Sequence, residues 1–122
     1  MPRQILEEAR IHPAIRAKVA ALNADVVAEV RAAADANAVL VVGMSGNPFC
    51  RRARRSLQAA GVGFKYLEYG SYVSQWRRRN ALKMWTGWPT FPMVFVKGVL
   101  VGGASDLQEL VDSGELRRMT TA

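Results

Sequence analysis

The chain has 122 residues, half of them hydrophobic, which is the size of one domain with a real core and too short for two. Lysine and arginine number 17 against 10 acidic residues, a net +7 concentrated in RRARR (Arg51 to Arg55) and WRRRN (Trp76 to Asn80). Its single cysteine excludes an internal disulfide and a zinc site built from one chain, since structural zinc takes about four Cys or His ligands.

No apolar run approaches the roughly 18 residues that span a bilayer, and MPRQILEEAR mixes charge with apolar residues unlike a signal peptide. The expectation is therefore a cytoplasmic protein with no membrane partner. The basic excess could draw in an acidic protein or nucleic acid. No aromatic-interleaved nucleic-acid motif accompanies it, so a solvated arginine-rich face on two helices is the expected reading and nucleic acid is not the expected partner.

Residues 1–37 read as helical, interrupted by Pro13 and Asn23. Pro13 should open a helical turn. Between Asp25 and Asp35, Val26, Val27, Val30 and Ala34 recur at helical spacing and predict one face on a core. His12 has no second ligand at helical or strand spacing and reads as a turn or surface residue.

AVLVVGM (Ala38 to Met44) is a β-branched run expected to form a strand buried on both faces. Asn47 then fits an N-cap and Pro48 the first turn of a helix running to about Ala60 and stopping at Gly61. FKYLEYG (Phe64 to Gly70) predicts a second strand, with Tyr66, Tyr69 and Tyr72 in it or at its exit. Ser74 to Trp85 predicts a helix capped by Ser74. PMVFVKGVLVGG (Pro92 to Gly103) predicts a hairpin turning at Lys97-Gly98, and the remainder predicts helix with a break at Gly114. This order implies an α/β fold in which a mixed four-stranded sheet is flanked by helices.

Trp88-Pro89-Thr90-Phe91-Pro92, followed by Met93 to Val96 and then by Val101-Gly102-Gly103 with Asp106, carries the strongest motif. Leu82-Lys83 precedes it and Gly114-Glu115-Leu116 follows. From about Ala38 to Met119 the chain resembles glutaredoxins, and its C-terminal half looks most like the monothiol branch. The resemblance implies a thioredoxin-like domain over residues 38–122, with residues 1–37 as an N-terminal helical extension that covers one sheet face or forms a dimer contact. The oligomeric state is left open by the sequence.

A Thr-Phe-Pro segment entering a strand suits a cis X-Pro bond that turns the backbone edge outward. By resemblance that edge, at Phe91 and Pro92, pairs with the backbone of glutathione. The turn into the next helix offers amides at Gly103, Ala104 and Ser105 to the γ-glutamyl carboxylate, and Lys83 matches the position that meets the glycine carboxylate. The plain structural alternatives are a hairpin-to-helix turn for the glycines and a solvent-exposed lysine for Lys83. Trp85, Trp88 and Phe49 could line the same groove or pack a helix on the sheet.

The family motif Cys-Pro-Tyr/Phe-Cys aligns with Asn47-Pro48-Phe49-Cys50. By the same resemblance Asn47, expected among the glutathione-binding residues, stands at the attacking cysteine, where helix amides would lower a thiol pKa, and it cannot form a mixed disulfide. Cys50 stands at the resolving position, one turn inside the helix, where it should be a buried hydrophobe. If its sulfur reached water, the neighbouring arginines would favour a thiolate and make Cys50 the catalytic residue. Met44 replaces a lysine of dithiol glutaredoxins and Ser105 an acidic residue common in the Gly-Gly motif; both weaken glutathione binding. The [2Fe-2S] cluster of monothiol relatives is not expected, because Asn47 replaces its protein ligand.

Three functions remain open. One is a glutaredoxin-related protein degenerate at the catalytic position, holding glutathione or a peptide as a binding or regulatory module. Another is a glutathione-dependent thiol-disulfide oxidoreductase using Cys50 on glutathione or a thiol-containing protein, and the third a basic module for an acidic partner.

Overall fold

A computed structural model describes residues 2–121, so the outermost residues of the two expected segments, 1 and 122, lie outside it. Four strands, β1 (Val39–Gly43), β2 (Lys65–Glu68), β3 (Met93–Val96) and β4 (Val99–Gly102), form one sheet in the order β2-β1-β3-β4. β1 and β2 are parallel, while the β1-β3 and β3-β4 pairs are antiparallel. Six helices surround it: α1 (Pro13–Ala21), α2 (Ala24–Ala36), α3 (Pro48–Ala59), α4 (Trp76–Thr86), α5 (Ala104–Asp112) and α6 (Glu115–Thr121). A short 3-10 turn, Glu8–Arg10, precedes α1. None of the described helices is long and apolar enough to cross a membrane.

Strand periodicity divides the core into two layers. Leu40, Val42, Met93 and Phe95 face α2 and α4, meeting Val26, Val30, Ala34 and Leu82. Val39, Val41, Val94 and Val96 point the other way into Ala53, Leu57, Leu107 and Leu116 of α3, α5 and α6. β1 is buried along its whole length, as its unbroken apolar run predicts. The valine stripe of α2 is part of the same packed core as the sheet, with Trp85 stacked on Phe95 behind it.

Local chemistry sets most boundaries where the sequence places them. Pro13 opens α1, and His12 is its N-cap, its Nδ1 accepting the Ala14 amide. Asn23 adopts the left-handed conformation that separates α1 from α2. Lys97 and Gly98, both at positive φ, form the turn between β3 and β4.

Two expectations about α4 need correction. The helix starts at Trp76 with Gln75, not Ser74, at its N-cap; the Ser74 hydroxyl instead accepts the Ser71 amide in the preceding loop. Nor is WRRRN uniformly solvated. Arg79 is buried, and its guanidinium donates to the carbonyls of Tyr69, at 2.9 Å, and Ser74. A rigid fork of donors can satisfy carbonyls that the β2-to-α4 connection leaves without ladder partners, which is why an arginine is tolerated there.

Candidate functional site

The site lies where the N-terminus of α3, the segment entering β3 and the N-terminus of α5 converge. Phe49, Trp88, Thr90, Phe91, Pro92, Gly103, Ala104, Ser105 and Asp106 line a groove of about 300 Å³. Five of the seven expected ligand-binding residues, Phe91, Pro92, Gly103, Ala104 and Ser105, are thus brought to one groove. The Phe91-Pro92 bond is cis, and this pair precedes Met93, the first β3 residue in register with β1. Lys83 approaches from α4, its Nζ 5.8 Å from the centre of the Phe91 ring.

Asn47, the sixth, forms the α3 N-cap. Its side-chain oxygen accepts the amides of Phe49, at 2.8 Å, and Cys50, at 3.1 Å, and the residue is only 9% exposed. The amides that would stabilise a thiolate at this helix end are therefore already satisfied by a neutral carboxamide.

Cys50 is fully buried. Its Sγ sits so near the β1 backbone that a Cβ added to Gly43 would lie 2.9 Å from it and 2.9 Å from the Tyr66 hydroxyl. Burial pushes the thiol pKa up, outweighing the Met44 backbone amide and the Arg54 charge that both pull it down. The arginines flanking Cys50 do not change this. Arg54 lies over the Tyr66 ring, 4.1 Å from its centre, and Arg52 reaches the other way to donate to the Ser105 hydroxyl at 2.8 Å.

At α5 the turn is held by its own acid. The Gly103 amide donates to Asp106 Oδ2 at 2.9 Å, and Gly102, at φ +119, leaves no room for a side chain, since a Cβ would fall 2.5 Å from that same oxygen. The remaining first-turn amides, Ala104, Ser105 and Asp106, have no backbone partner within the helix by its geometry. A groove with one apolar wall, cations at Arg52 and Lys83 and helix amides at one end suits a small extended anion.

Of the three aromatics expected at the groove or behind it, Phe49 and Trp88 line it, while Arg52, beside them, was not foreseen. Trp88 is partly buried and its Nε1 is a buried donor without a protein partner, beside Gly103, where a ligand oxygen would satisfy it. Arg52 sits at the rim, 5.4 Å from the centre of the Phe49 ring. Only the i, i+3 spacing of Phe49 and Arg52 hinted that the two share a helix face. Trp85 packs inward on Phe95 and is no part of the groove.

The glutaredoxin family model matches residues 39–101. A glutaredoxin-like protein of Dictyostelium discoideum is 47% identical over 94 residues, covering 77% of this chain and 76% of its own. A probable monothiol glutaredoxin of Legionella pneumophila is 35% identical over 82 residues, covering 62% of this chain and 89% of its own. Among solved structures, wheat glutaredoxin superposes with a TM-score of 0.70 at 28% identity, over 80% of this chain and 91% of that one. A buckwheat glutaredoxin-glutathione complex reaches 0.73 at 23% identity, over 82% and 91%, a likeness of fold. With the thioredoxin-like sheet, the cis-proline groove and these matches in hand, the chain belongs to the glutaredoxin family.

Proposed function

We propose that this chain is a glutaredoxin degenerate at its catalytic position, which holds glutathione or a glutathione-like peptide without exchanging disulfides with it and so acts as a binding or regulatory module. The observation that carries the reading is the cap: Asn47, which the family motif aligns with the attacking cysteine, spends its oxygen on the Phe49 and Cys50 amides, while Cys50 is fully buried. A thiol that is buried and held protonated is neither a nucleophile nor a ligand at neutral pH.

In this reading the groove keeps its binding half. The Phe91-Pro92 edge takes the ligand backbone, the Ala104 and Ser105 amides with Arg52 take its γ-glutamyl carboxylate, and Lys83 takes the carboxylate at the other end. The groove falls within the expected glutaredoxin-like segment, and α2 of the N-terminal segment packs on one sheet face. A [2Fe-2S] cluster does not fit the donors present, because Asn47 supplies no thiolate and Cys50 does not reach the surface. A cytoplasmic location accords with the single unpaired thiol.

The test has two arms. Calorimetric titration with reduced glutathione is expected to show binding that Phe91→Asp abolishes. Intact-mass analysis after exposure to oxidised glutathione is expected to show no adduct on the folded chain and one adduct on Asn47→Cys. Rapid modification of the folded native chain, lost in Cys50→Ser, would overturn the reading in favour of a Cys50-dependent oxidoreductase.

A further inference from the structure

A second groove, distinct from the glutaredoxin site, opens where α1 and α2 meet α4. Val19, Leu22, Val27, Ala81, Met84 and Trp85 line it, and it encloses about 360 Å³. Met84 is 71% exposed and Leu22 56%, an unusual cost in water for side chains gathered in one place.

What surrounds this apolar floor is basic. The Arg31 guanidinium lies 5.7 Å from the centre of the Trp85 ring. Arg3 donates to the carbonyls of Thr86, at 2.6 Å, and Trp85, at 3.3 Å, at the C-terminal end of α4. Arg77 stands one turn before Ala81 on α4, its guanidinium 5.2 Å from the centre of the Trp76 ring. Of the three acids of α2, Asp25 faces Arg78 at 3.7 Å, Glu29 accepts the Tyr69 hydroxyl, and Asp35 lies at the far end of the helix beside Gly98 of the β3-β4 turn.

Charge selects the occupant. A second copy would bring another basic rim of a +7 chain against this one, and like charges oppose that docking. Nucleic acid would meet the cations but gain nothing from Val19, Leu22 and Met84. An apolar trough flanked by positive charge is complementary to a helix with one apolar stripe and acidic flanks. We propose that this groove docks an acidic amphipathic helix of a partner protein, with Met84, Leu22 and Trp85 receiving its apolar stripe and Arg31, Arg77 and Arg3 meeting its carboxylates. The site is separate from the Phe91-Pro92 groove, so glutathione binding and helix binding are read independently.

The test uses the full chain and a synthetic helix of about 15 residues with leucine at i, i+3, i+7 and i+11 and glutamate on both flanks. Two control peptides carry lysine for every glutamate, or the same composition scrambled to break the stripe. Amide chemical-shift mapping is expected to place the acidic helix at Val19, Val27, Met84 and Trp85, with affinity falling about tenfold between low and physiological salt. Both controls should bind at least about tenfold more weakly. Met84→Glu changes an exposed position, so it should leave the fold intact while weakening the acidic helix by at least about tenfold. The inference is overturned if the lysine peptide binds as well as the acidic one, if the scrambled peptide matches the ordered one, if the shifts map to α3, or if Met84→Glu binds like the native chain. A concentration-dependent dimer in light scattering that Met84→Glu dissociates would overturn it too, assigning the groove to a second copy.

Discussion

Asn47→Ala removes the side chain that caps α3, and its cost measures how far that residue holds the helix start. The Asn47 oxygen accepts two α3 amides, at 2.8 and 3.1 Å, in a site where the residue is 9% exposed. An N-cap deletion costs about 1 kcal/mol at a typical helix, with a range of about 0.5–2 kcal/mol. The buried Cys50 amide and the partly buried Phe49 amide both lose their acceptor, so the loss should fall near the upper end, about 2 kcal/mol. Unfolding entropy of about 2.1 cal/mol/K per residue turns this into a fall in Tm of about 6–8 °C for a chain of this length. Urea denaturation followed by far-UV circular dichroism measures it, the midpoint falling with the slope unchanged. Asn47→Asp, which keeps the acceptor and adds a charge favoured at a helix N-terminus, should remain within about 0.5 kcal/mol of the native chain. A loss below about 0.3 kcal/mol for Asn47→Ala, or equal losses for both variants, would refute the cap as the reason for asparagine.

Two further outcomes follow from buried polar groups. Arg79→Met keeps the volume of the side chain stem but deprives the Tyr69 and Ser74 carbonyls of their donors, and should cost about 2–3 kcal/mol in the same urea assay; a loss no larger than that of the exposed Arg77→Met would show that Arg79 anchors nothing. Stability should also fall at alkaline pH. Burial raises the pKa of Cys50 in the folded state, and burial with hydrogen bonds to Glu68 and Glu29 raises those of Tyr66 and Tyr69. Each folded group favours its neutral form, so its contribution is fully present below the unfolded pKa, about 8.5 for the thiol and about 10 for the phenols, and is lost as pH rises toward the folded values. Melting temperatures measured from pH 7 to 11 should decline above about pH 9, the lower part of the decline disappearing in Cys50→Ala. A flat profile would contradict the burial of these groups.

The elements whose signals are local were legible without coordinates. The Ala38 to Met44 run could satisfy its β-branched side chains only as a strand covered on both faces, and Lys97-Gly98 could close its hairpin only with both residues at positive φ. Asn47-Pro48 reads as a helix start from two residues alone, because the cap and the fixed φ of proline act within one turn. The Trp88 to Pro92 block, with the Gly102-Gly103 pair, identified the family before any contact was known.

Arg79 shows where such reading stops. Within WRRRN nothing local separates it from Arg77 and Arg78, and only the path of the β2-to-α4 connection decides which guanidinium meets two stranded carbonyls. The same holds for Ser74, a plausible cap by type that the loop uses to close on Ser71 instead. Helical spacing could turn Cys50 away from the groove, but its complete burial required the β1 backbone at Gly43 and the Tyr66 side chain to close over it. By itself the sequence determined the elements and the helix cap at Asn47, since each depends on residues within a turn or a strand of one another. Tertiary structure alone decided which arginines are anchors, that the Trp88 indole faces a groove without a partner, and that α1, α2 and α4 leave an apolar trough with Arg31 beside its Trp85 wall, because each depends on distances between segments far apart in the chain.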